Sequence, residues 1–221
     1  MHSSRRLCMA GNLTDDIVHR PPPPPPVDWG RGGDGPTDGP GASRRASFVG
    51  LYLLLVSSTV VFLAFTAAFL MRRSIASDWV STPKPPILWL NTALLLGSSA
   101  LIERARKAIK TARRSAFNWW WTSATAVGVL FLLGQGLAWR QLKDAGLYIA
   151  SNPSTSFFYM LTATHAAHVL GALAALIYVD VHALWFRLGP SKRTAIDLSA
   201  IFWHFLDVLW IGLMALFYAW G

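Results

Sequence analysis

Five unbroken apolar segments, residues 48–71, 87–103, 119–139, 156–179 and 196–220, constrain this 221-residue chain more than any other feature. A membrane-spanning helix needs about 20 apolar residues, with a range of about 17–25, and each segment fits. None holds a proline. Pro83, Pro85, Pro86, Pro153 and Pro190 all lie between the segments, where a residue without a backbone N–H belongs. Only 14% of the chain is charged and 53% is hydrophobic, whereas soluble domains carry about 25% charge. The expected fold is all-α: a polytopic membrane protein, a bundle of five transmembrane helices over residues 48–221.

Residues 1–47 read differently. They hold six consecutive prolines, Pro21 to Pro26, and the stretch GRGGDGPTDGPGA. Such composition buries too little apolar area to offset the entropy of ordering, so a disordered cytoplasmic tail is expected, with the proline run in extended polyproline II. Arg5 and Arg6 precede no apolar stretch long enough for a signal peptide. The single cysteine, Cys8, excludes an internal disulfide framework and a cysteine-rich metal site.

The formal charge of +9 is not a nucleic-acid signature, because the basic residues cluster at segment ends rather than along one face. Arg44 and Arg45, then Arg104, Arg106, Lys107, Lys110, Arg113 and Arg114, then Arg187, Lys192 and Arg193 flank one side of the expected bundle. They outnumber Arg72, Arg73, Lys84, Arg140 and Lys143 on the other. The bias predicts a cytoplasmic N-terminus and a C-terminus on the outer face of a bacterial inner membrane. Trp79, Trp89, Trp119, Trp120, Trp121, Trp139 and Trp220 fall near the predicted interfaces, where indole is favoured. Trp203, Trp210 and Arg140 are likewise expected at lipid or at an interface.

Polar residues inside the segments form stripes at 100° per residue. Asn91, Thr92, Ser98, Ser99 and Glu103 share a face of the second helix. Thr164, His165, His168, Gly171, Ala172 and Ala175 share one on the fourth, and Asp197, His204, Asp207 and Tyr218 one on the fifth. Ionisable groups inside a membrane point at protein and pair. His165-x-x-His168 with His204-x-x-Asp207 can be read three ways: as zinc or iron ligands, as a proton relay, or as a polar clamp between helices 4 and 5. Geometry favours the clamp, since two helical pairs converge poorly on one metal. On this reading His168 and Asp207 lie at one depth, each about 16 Å from its cytoplasmic helix end, and hydrogen-bond. Gln135 reads as an interhelical hydrogen-bonder and Glu103 as a paired or solvated charge at the border. No phosphate loop, nucleophile elbow, carboxylate pair or haem-attachment motif is present. The residues alone leave a partner subunit and a small stand-alone carrier open. The carrier class predicts internal repeats and broken helices, and neither is seen in the sequence.

Four stretches carry a resemblance: NTALLLGSSALIERARKAIK (91–110), the Trp139-Arg140-Gln141 loop within GQGLAWRQLKDAGLYIASNPSTSFFYMLTATHAAHVLGAL (134–173), the histidine pair of that same stretch, and the closing AIFWHFLDVLWIGLMALFYAWG (200–221). In this order and spacing they make residues 48–221 resemble subunit III of the haem-copper respiratory oxidases, in a short five-span form lacking the first two of seven spans. The resemblance implies an accessory subunit with no cofactor of its own, packed on a catalytic subunit I that holds haems and copper, alongside subunit II. It also implies support of proton uptake and complex stability, and a bound phospholipid in a cleft that the missing spans leave incomplete. His165, His168, His204 and Asp207 carry over as family-pattern residues, and Glu103 more loosely. A subunit-III-like partner of a nitric oxide reductase fits the same pattern. Family members commonly have Ser-Glu in the first helix; here the pair is Ser57-Ser58, and a hydroxyl cannot titrate near neutral pH.

Overall fold

The computed structural model describes residues 40–75, 77, 79, 84–149, 151–185 and 190–220. Cys8 and the proline run lie outside them. Five helices follow in order: α1 Pro40–Ile75, α2 Ile87–Lys110, α3 Arg114–Asp144, α4 Pro153–Leu184 and α5 Pro190–Trp220. Each contains one expected apolar segment and runs beyond it. The polar flanks stay helical because intrahelical hydrogen bonds continue where the apolar run stops. Residues 40–47, which fall within the expected tail, thus form the first turns of α1.

Helix ends follow local chemistry. Pro153 opens α4, where its missing N–H costs nothing, and the Asn152 side chain caps the helix by accepting from the Thr155 N–H at 2.9 Å. α3 ends in a Schellman turn. Gly146 has φ +78°, the Gly146 N–H reaches the Lys143 carbonyl at 2.9 Å, and the Leu147 N–H reaches Leu142 at 3.0 Å. α2 ends the same way, with the Ala112 N–H on Ile109 at 3.2 Å and the Arg113 N–H on Ala108 at 3.0 Å. There the left-handed residue is Ala112, φ +56°. This turn folds α3 back on α2.

Four helices, α2, α3, α4 and α5, close a ring in which each touches the next. α1 lies outside it, against α4 and α5 alone among the described helices. The ring encloses a core led by Trp121, Phe131, Leu161, Leu176, Trp203 and Trp210. Residues 44–75, 114–144, 153–184 and 193–220 are long and apolar enough to cross a membrane, as in a multi-pass membrane protein. α2, expected as a fifth span, falls short of that measure. Its apolar stretch ends at Ile102, which gives about 24 Å of helix at 1.5 Å per residue, and it carries Asn91, Thr92, Ser98 and Ser99 within that stretch. Those residues face α3 and α5 rather than lipid.

Candidate functional site

α2 and α5 run antiparallel, and a seam of polar side chains joins them. At one end the Trp210 indole N–H donates to Thr92 Oγ1 at 3.0 Å, and the Thr92 hydroxyl donates to the Leu88 carbonyl at 2.9 Å. Seven residues along α5, Trp203 repeats the arrangement: its N–H donates to Ser98 Oγ at 2.9 Å, and Ser98 donates to the Leu95 carbonyl at 2.7 Å. Each small hydroxyl satisfies its own helix and accepts an indole from the neighbour, so no polar atom of these pairs is left to lipid. Trp203 and Trp210 are 1% exposed. The expectation that they face lipid or an interface is corrected: their N–H groups are used inside the bundle. Trp121 is also interior and donates to the Leu176 carbonyl at 3.0 Å. Arg140 is exposed, near the end of α3.

Between the tryptophans lies the charged part. Asp207 Oδ2 accepts a hydrogen bond from the Ser99 hydroxyl. His204 Nδ1 is 3.0 Å from the same hydroxyl oxygen and 3.7 Å from Asp207 Oδ2. Its Nε2 is 3.0 Å from Glu103 Oε1. Glu103 also accepts from Arg106 at 2.7 Å, and Arg106 reaches across to Asp197 of α5 at 3.2 Å. The seam therefore runs Asp207, Ser99, His204, Glu103, Arg106, Asp197, from the buried middle of α5 toward its beginning. With the Ser99 hydroxyl donating to an ionised Asp207, both imidazole nitrogens of His204 face acceptors, which calls for the doubly protonated ring. With the proton instead on Asp207, Ser99 can donate to Nδ1 of a neutral ring. The site thus accommodates two proton distributions without moving a heavy atom. Beyond the apolar part of α2, burial lowers the Arg106 pKa, but the hydrogen bonds and charges of Glu103 and Asp197 outweigh it and hold the group above its ordinary value.

The expected bond between His168 and Asp207 is not formed. His168 Nδ1 donates to the Thr164 carbonyl of its own helix at 2.8 Å, and its ring packs 5.5 Å from Phe62 of α1. The clamp joins α5 to α2, not to α4, because Asp207 points to the α2 side of α5, toward Ser99. His165 is fully buried between Phe131, Trp210 and Phe62. Gln135 is 1% exposed, and neither of its amide atoms meets a hydrogen-bond partner among the described residues, so the expected interhelical hydrogen bond is not formed between them. Glu103 pairs with Arg106 and His204 rather than with its neighbour Arg104, whose guanidinium lies 5.2 Å from the Trp120 ring. The bridge from Thr122 to Asp180, 2.7 Å between α3 and α4, was not anticipated; nothing in either residue's spacing announces it. Among the described residues no group of three or more His, Cys, Asp or Glu is placed to hold a metal ion. In the first helix Ser58 is buried at the position discussed above.

Residues 42–221 match the family described as cytochrome c oxidase subunit III. This chain belongs to that family. It is 30% identical over 173 residues to the probable cytochrome c oxidase subunit 3 of Nocardia farcinica, covering 75% of this chain and 84% of that one. It is 31% identical over 179 residues to the cytochrome c oxidase subunit 3 of Thermostichus vulcanus, covering 77% and 85%. It is 30% identical over 178 residues to that of a Synechocystis strain, covering 76% and 73%. The match takes in all of α2–α5 and nearly all of α1, so the seam lies wholly within the subunit III region.

Proposed function

We propose that this protein is the accessory, non-redox subunit III of a bacterial haem-copper terminal oxidase, packed on the catalytic subunit I beside subunit II. The family match over residues 42–221 carries this reading. The internal chemistry agrees with it: the indoles and carboxylates of the seam are bonded between α2 and α5, which suits a rigid partner more than a moving carrier. Support of proton uptake and of complex stability is the role proposed for it. The N-terminus is assigned to the cytoplasm and the C-terminus to the outer face by the basic-residue bias. α1 presents the most exposed apolar surface, including Tyr52, Leu53, Val56, Val60 and Leu63, available to lipid or to a neighbouring subunit.

Gentle purification through a tag on this chain tests the reading. Co-elution of a haem protein whose binuclear centre contains copper supports it. A haem protein with an iron-only centre reassigns the chain to a nitric oxide reductase. A colourless single chain returns the carrier reading and overturns the subunit assignment.

A further inference from the structure

The interior of the ring holds polar groups that the seam does not use. Asn91 of α2, Gln135 of α3 and His165 of α4 are at most 1% exposed. Neither amide atom of Asn91 or Gln135, neither ring nitrogen of His165, and not Oδ1 of Asp207 has a hydrogen-bond partner among the described residues. Buried polar atoms are nearly always bonded, to protein or to ordered water.

Ring and backbone contacts bring Asn91, Gln135 and His165 to one level, while the Asp207 carboxylate meets Ser99, eight residues further along α2 than Asn91. The Asn91 amide presses on the backbone of Gly134, the residue before Gln135. Phe131, one turn from Gln135, packs edge-on to His165 at 5.9 Å and to Trp210 at 5.2 Å. His165 lies 5.0 Å from Trp210, whose N–H bonds to Thr92 beside Asn91. Asp207 stands three residues before Trp210 on α5.

We infer that ordered water is bound between the four ring helices at this level, hydrogen-bonded to Asn91, Gln135 and His165. The donor set selects water. Two carboxamides and an imidazole offer N–H donors as well as acceptors, so a metal cation would leave the donors unsatisfied. An anion would leave the amide oxygens unsatisfied, and an acyl chain would satisfy none of these groups. Water both donates and accepts, and a buried water takes two to four polar partners.

The test uses the purified protein in whatever complex it is isolated. A density map that resolves ordered water should show peaks within hydrogen-bond distance of the Gln135 amide and the His165 ring. No density there, or the amides and imidazole bonded directly to one another, overturns the inference. Gln135→Met gives a second reading. If water is present, removing the amide leaves its partners unpaired and Tm falls. If the site is dry, removing an unbonded buried amide relieves a penalty and Tm rises, which also overturns it. Where the variant does not assemble, the map of the unaltered protein decides.

Discussion

Three glycines of one helix give the packing of α3 a quantitative check. A Cβ built on Gly134 would overlap Asn91 Oδ1 and sit 3.0 Å from its Cγ. Asn91 is fully buried, so its short side chain has no solvent to swing into. A Cβ on Gly128 would lie 2.7 Å from Cη2 of Trp203 and 3.3 Å from Cδ1 of Leu173, both held in the core. A Cβ on Gly136 would meet nothing within 4 Å. Replacing glycine by alanine inside a helix gains about 1 kcal/mol of helix propensity, and overpacking a filled interior costs about 1–3 kcal/mol. The propensity gain is common to all three substitutions, so it cancels in the comparison. Gly134→Ala and Gly128→Ala should therefore fall below Gly136→Ala by about 1–3 kcal/mol. At about 2–4 °C per kcal/mol for a chain of this size, the gap is several degrees in Tm. Thermal unfolding of the purified protein in detergent, followed by circular dichroism, measures it. A double-mutant cycle identifies the cause: Asn91→Ala should recover much of the loss in Gly134→Ala and little of that in Gly128→Ala. Equal Tm values for Gly134→Ala and Gly136→Ala would refute the close approach of α2 to α3 at this point. So would a Gly134→Ala penalty that persists when Asn91 is truncated.

Ser99→Ala removes the donor to a carboxylate that is 5% exposed and should cost about 1–3 kcal/mol; the same loss in an Asp207→Asn background should be smaller, which a denaturation series can read. Ala112 stands in the left-handed region at the turn between α2 and α3, where a Cβ costs about 1–2 kcal/mol, so Ala112→Gly should raise stability despite the glycine's larger unfolded-state entropy; an unchanged or lowered Tm contradicts the turn geometry. Labelling with a hydrophobic carbodiimide and peptide mapping should leave residues 48–71 unmodified, since that segment has no acid. Label on Asp207 would show that its carboxyl is protonated and reachable from lipid.

Much of this site is legible in the residues, but only up to the choice of neighbour. The 100° wheel finds the inward face of α2, and Asn91, Ser98 and Ser99 are indeed buried. It finds Asp197, His204 and Asp207 on one side of α5, and all three join the seam. Tyr218 falls on the same calculated face, yet it is 42% exposed, because that end of α5 lies beside the start of α2, where Trp89 and Lys84 are its neighbours. What a wheel cannot give is which helix stands opposite a face. Equal depth made His168 a plausible partner for Asp207, and depth says nothing about direction around the ring.

The tryptophans show a different gap, and here the sequence held the missing signal. Indole is favoured at membrane interfaces, and that preference suggests an outward position for Trp203 and Trp210. Their spacing argues the opposite. Trp203, Asp207 and Trp210 stand at i, i+4 and i+7, the stripe that a helix buries against its neighbour. If the carboxylate must face protein, both tryptophans face the same way. On α2, Thr92 and Ser99 are likewise seven apart, with Ser98 beside Ser99. An antiparallel pairing of the two repeats sets Trp210 against Thr92 and Trp203 against the Ser98–Ser99 pair, and in the structure the Asp207 carboxylate also reaches Ser99. The expense of a carboxylate inside an apolar helix is thus met by one serine and one histidine, while the flanking indoles donate their own N–H groups to hydroxyls of α2, the helix that supplies the serine.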